Sequence, residues 1–142
     1  MAQATPRVSL PRAGGTLARR TALGVFVAVL ALLTTQAIVD AAEIAVGVTG
    51  AMSPFAPAAL VGSTIAAGTG AALTYAAVDR FSARPVRNFV AIATAVFVIM
   101  LVPVFVVAPA MGVTSTGQGV LVLYHLLVAV PLTAFIVGAV GR

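Results

Sequence analysis

The groups in this chain able to do chemistry are few, and their scarcity bounds the chemistry open to it. One histidine, His125, stands beside Tyr124 inside the long apolar run LVLYHLLVAVPL. Imidazole is the side chain that changes charge near neutral pH, so His125 is a candidate proton-responsive or ligand-contacting group. Its structural reading is a neutral ring bonded to a carbonyl or hydroxyl of the next helix. Gln36, Asp40 and Glu43 follow one another at spacings of four and three residues, so a helix continuing through them places all three on one side. With His125 they would make an outer polar vestibule for a cation or polar ligand. The alternative is that Asp40 and Glu43 are interfacial residues that end an apolar segment.

The absences are as informative. There is no cysteine, which excludes disulfides, thiolate metal sites and cysteine nucleophiles. One histidine and three separated acids do not make a metal site, and a b-type haem would need a methionine or His125 of a second copy as the other ligand. No metal or cofactor is therefore expected, and His125 and Tyr124 are the residues left to contact a bound pigment, quinone or lipid. No GxSxG, Walker A or HExxH pattern occurs, and a serine or threonine without a base is not an activated nucleophile. GTGAA at 68–72 lies in too apolar a context to cradle phosphate. The chain is not expected to be an enzyme. Thr34, Thr35, Ser63, Thr64, Thr69 and Thr74 can all bond back to carbonyls of their own helices.

The elements that must position these residues follow from composition. Of 142 residues, 61% are hydrophobic and 8% charged, against about a quarter charged in soluble domains. A segment of about 20 apolar residues crosses a hydrocarbon core, and four reach that length, at about 20–39, 57–78, 89–110 and 120–140. The expected fold is all-α, a four-helix transmembrane bundle, multi-pass in the cell membrane, with the bilayer as its first partner.

Charge placement threads the bundle. The net charge of +5 comes from eight arginines: Arg7, Arg12, Arg19 and Arg20 before the first span, Arg80, Arg84 and Arg87 between the second and third, and Arg142 at the end. The positive-inside rule accounts for this alternation and makes nucleic acid unnecessary as a partner. Both termini are then inside, and Asp40 and Glu43 outside. Residues 1–16 read as a flexible cytoplasmic tail and 17–142 as the transmembrane domain. A signal-peptide reading of the first span competes with retention and is disfavoured by the length of the apolar run and by Asp40 inside the would-be cleavage motif. The stretch 40–57, with Ile44, Val46 and Val48 alternating and Pro54 and Pro57 at its end, reads as an irregular apolar segment folded on the outer end of the bundle. Asp79 is expected to pair with Arg80 or Arg84 at the surface, and Pro103 to kink the third span or free a carbonyl.

The second span differs from the others. Gly62, Ala66, Gly70 and Thr74 recur every fourth residue, with Ser63, Ala67 and Ala71 alongside, a stripe that lets helix backbones approach closely. It supports a leading reading of the chain as a self-associating bundle or an accessory subunit of a larger membrane complex, with packing inside the monomer as the alternative use of that face. A small transporter or channel around Gln36, Asp40, Glu43 and His125 is a second reading, and a pigment, quinone or lipid binder a third.

LARR before the first span, the small-residue second span, the arginine-bearing inner loop and Tyr124, His125, Leu126 and Leu127 in the fourth are similar to a family of small prokaryotic four-span membrane proteins of uncharacterised function, the domain of unknown function 6069. The similarity runs over residues 17–140. It implies a four-helix integral membrane protein and carries no activity with it.

Overall fold

A computed structural model describes residues 13–140. Four helices follow in chain order: α1 (Ala13–Ala41), α2 (Pro57–Phe81), α3 (Pro85–Val106) and α4 (Ser115–Ile136), with a single 3-10 turn at Pro109–Met111. Among the described residues there is no strand. All four helices are long and apolar enough to cross a membrane. The two shortest, α3 and α4 at 22 residues each, span about 33 Å at 1.5 Å per residue, enough for the hydrocarbon core. On α3 only Phe89 and Val104 are buried, while Ile99, Val102 and Phe105 are more than half exposed. An apolar surface of that extent is stable only against lipid, and the chain is a multi-pass membrane protein.

Successive helices run in opposite directions. The end of α2 meets the start of α3 through Tyr75 and Phe89, whose rings stand edge to face at 5.2 Å. A three-residue link at 82–84 joins the two helices, with Ser82 Oγ accepting from the Arg84 amide and from Asn88 Nδ2. Both α2 and α3 begin on a proline, where the missing N–H has no helical partner to lose. The start of α1 lies against the end of α4, because Arg20 fills the space where a Cβ on Gly138 would stand. The two ends of the described chain thus leave the bundle together.

α1 packs on α2 and α4, α3 packs on the same two helices from the other side, and α2 also touches α4. Close approach between α1 and α2 depends on Gly68, where a Cβ would collide with the Val25 side chain. Between α1 and α4, Gly24 sits with its Cβ position 3.2 Å from Phe135 and 3.4 Å from Leu132. The connected core lies toward the far end of the bundle, where Leu32, Val39, Leu60, Val104, Leu121 and Tyr124 meet Val46 and Phe55 of the 42–56 segment.

That segment is irregular, as its prolines and glycines imply, and it closes the end of the bundle. Thr114 is its clasp: the amide donates to the Val46 carbonyl at 3.0 Å, the hydroxyl donates to the Ala45 carbonyl at 2.6 Å, and the same oxygen caps α4 by accepting from the Gly117 amide. A Cβ on Gly47 would overlap the Gly112 carbonyl, and one on Gly117 would overlap the Val46 carbonyl. Two glycines are what let the segment lie flat against the helix ends.

Several boundaries differ from expectation. Residues 13–16 are already helical, so α1 starts inside the expected tail; the rest of that tail lies outside the described residues. α3 begins at Pro85 and ends at Val106 rather than running 89–110, and α4 covers 115–136 rather than 120–140. The end of α4 is set by Gly138, whose φ of 72° leaves the helical region. The ion pair expected at Asp79 is not made among the described residues. Arg80 instead places its guanidinium 5.8 Å from the Phe81 ring, and at an exposed helix end hydration of both charges competes with pairing. Pro103 is accommodated inside α3, and its own carbonyl accepts from the amides of Val107 and Ala108.

Candidate functional site

The helices do not fill the space between them evenly. α2, α3 and α4 enclose a half-open cavity of about 690 Å³, with Leu32 of α1 also on its wall. Its volume comes from side chains that are small: Ser63, Ala67, Gly70 and Ala71 of α2, facing Ile92, Val96, Phe97 and Met100 of α3. Leucines at the α2 positions would close it. From α4 come Leu121, Tyr124, His125, Val128, Ala129, Leu132 and Thr133, the i, i+3, i+4, i+7 pattern of one helix face.

His125 is half-buried on this wall. Its Nδ1 lies 2.7 Å from the Leu121 carbonyl. A carbonyl oxygen can only accept, so Nδ1 carries a hydrogen, and in the neutral ring Nε2, at the far edge, then holds a lone pair. The ring is thus held by its own helix, one turn back, and not by the next helix as the sequence suggested. Nε2 has no partner among the described residues.

Tyr124, next in the chain, turns its hydroxyl toward α1. Its Oη donates to Gln36 Oε1 at 2.6 Å, and Gln36 Nε2 donates to Asp40 Oδ1 at 2.7 Å. This chain of bonds joins two helices and ends on an exposed carboxylate at the end of α1. Phe55 of the closing segment stands edge to face on Tyr124 at 6.2 Å. A buried glutamine is costly unless paired, and Tyr124 and Asp40 supply both partners.

The expected vestibule of Gln36, Asp40, Glu43 and His125 does not assemble. Gln36 and Asp40 are bonded to each other. Glu43 lies past the helix end with a positive φ of 51° and an exposed side chain, because α1 stops at Ala41. His125 faces the cavity, whose wall includes none of the other three. Among the described residues no three His, Asp or Glu side chains come together as metal ligands would.

The small stripe divides into two uses. The stripe buried inside the monomer is Leu60, Thr64 and Gly68, two residues out of register with Gly62, Ala66 and Gly70, which are exposed. Gly70 and Thr74 border the cavity, and nothing lies within 4 Å of where a Cβ on Gly62 or Gly70 would be. Thr35, Ser63, Thr64, Thr69 and Thr74 make the bonds to their own helix carbonyls that the sequence allows.

A model of a family of unknown function, DUF6069, matches residues 12–142, and the chain belongs to that family. Neither the curated proteins nor the solved structures provide a significant match.

Proposed function

We propose that this DUF6069 protein holds a small, largely apolar molecule from the bilayer in the cavity between α2, α3 and α4, with a polar end at His125. The observation that carries the reading is the conjunction of a roomy apolar cavity with one unengaged imidazole nitrogen on its wall. Ligand sites are typically concave and apolar, about 300–1,000 Å³, with a few converging polar groups. The work proposed for the protein is binding, without catalysis. We place it in the cell membrane with both termini in the cytoplasm, on the strength of its arginines.

The test is extraction. Wild-type protein purified in mild detergent and exchanged into nanodiscs of a single synthetic lipid should retain a native small molecule in near-stoichiometric amount, identified by mass spectrometry after solvent extraction. Ala67→Phe, which fills the wall of α2, should lose it while keeping its helical content. Equal retention by both proteins, or none by either, would overturn the reading.

Association with a second copy or a partner subunit through α2 is a second reading. It is supported by the exposure of Gly62 and Ala66 and by the open space against Gly62. Cross-linking from α2 in native membranes tests it: cross-linked products through α2 are expected if this face is a contact, and their absence would oppose it. The transport reading has less support, because its four residues do not share a cavity.

A further inference from the structure

The polar side chains on the cavity wall are Ser63, Thr64, Thr74, Tyr124, His125 and Thr133, and in five of them the hydrogen is already committed. Thr64 Oγ1 and Ser63 Oγ donate to the Leu60 carbonyl at 2.7 and 3.2 Å, and Thr74 Oγ1 donates to the Gly70 carbonyl at 2.8 Å. Tyr124 gives its hydrogen to Gln36 and His125 gives its Nδ1 hydrogen to Leu121. Thr133 is the exception, eight residues along α4 from His125 and so about 12 Å away. Around His125, with its ring neutral, the wall offers lone pairs and no hydrogens.

Asp40 sets the direction of the Tyr124 bond from outside the cavity. A carboxylate accepts and does not donate, so Gln36 must present its amide nitrogen to Asp40 and its carbonyl oxygen to Tyr124. Facing an acceptor, Tyr124 has to donate, and its oxygen keeps only lone pairs for any other partner. The same logic runs from the Leu121 carbonyl through Nδ1 to the bare Nε2 of His125.

We propose that the cavity selects a hydrogen-bond donor: an apolar body ended by a phenol or alcohol hydroxyl, in preference to the same body ended by an ether or carbonyl. A hydroxyl gives its hydrogen to His125 Nε2. An ether or carbonyl oxygen in the same place meets only other acceptors and is buried unpaired, which is the costly outcome. This inference rests on the cavity-binding reading above and names the class of molecule it takes.

The experiment uses 4-nonylphenol and its methyl ether, which share an apolar body and differ in the donor. Binding to the full chain in nanodiscs is measured by equilibrium dialysis, with empty nanodiscs of the same lipid subtracted for simple partitioning. Saturable binding of the phenol, roughly five- to tenfold tighter than the ether, is expected. In His125→Phe the preference should fall to about twofold or less, with ether binding little changed. Saturable binding of both probes with equal affinity, or a preference for the ether, would overturn donor selection and leave the cavity reading standing. A phenol preference that survives in His125→Phe overturns the assignment to Nε2. Binding of neither probe above partitioning overturns the cavity reading, and this inference with it.

Discussion

Tyr124 and Gln36, 88 residues apart in the chain, share a buried hydrogen bond of 2.6 Å that ties α4 to α1. Gln36→Leu leaves the tyrosine hydroxyl buried without an acceptor, at an expected cost of about 1–3 kcal/mol. Tyr124→Phe removes the donor and leaves Gln36 able to keep its bond to Asp40. The double variant Gln36→Leu with Tyr124→Phe should regain part of the loss, since neither orphaned group remains. Unfolding in mixed micelles by increasing denaturing detergent reads all three; strictly additive losses would mean the two side chains are not coupled.

Glycines on α2 that look alike in sequence should respond differently to a methyl group. Gly68→Ala forces the new Cβ against Val25, and a β-branched side chain in a packed contact yields poorly, so a destabilisation of about 1–3 kcal/mol is expected. At Gly62 the Cβ meets open space, and Gly62→Ala should be neutral or stabilising by up to about 1 kcal/mol through helix propensity. The same unfolding assay compares them. A marked loss at Gly62 instead, with a change in oligomeric state, would favour association through α2.

The direction of threading is open to labelling because the chain has no cysteine of its own. Met52, 93% exposed in the closing segment, and Ala83, in the link between α2 and α3, lie at opposite ends of the bundle. A membrane-impermeant maleimide on intact cells should label Met52→Cys at once and Ala83→Cys only after the membrane is opened. Labelling of both from one side would contradict four crossings, and labelling of Ala83→Cys alone would invert the orientation that the arginines indicate.

The four helices are legible in the sequence because each is an apolar run long enough to cross a bilayer and is separated from the next by charge, proline or glycine. Their ends are less so. Hydropathy stops at the first polar residue, whereas α3 starts ahead of Arg87 and Asn88 on Pro85, and α4 starts on the Thr114 cap ahead of Ser115, Thr116 and Gln118. Caps and proline starts set helix boundaries through backbone bonds that an apolarity scan does not see. The rotation of α2 was not legible either. Small or apolar residues surround that helix, so no polar face marks which side is buried, and the choice falls to Gly68 through its close approach to Val25 of α1. His125 stood out as the one ionisable group within a span, but the direction of its lone pair depends on a rotamer and a bond to Leu121. The cavity arises from the spacing of three helices and belongs to no single segment.

The contact of Arg20 with Gly138 has a practical consequence for engineering the chain. Residues 13 and 140 lie at the same end of the bundle as the 82–84 turn, so a circular permutant opened at that turn, with its old ends joined by a flexible linker, would keep every helix pairing and leave its new termini on the same face of the membrane. Reordered in this way, the protein would begin with α3 and α4 and finish with α1 and α2, and its biogenesis would show whether the first hairpin to be inserted has to be the one that carries most of the arginines.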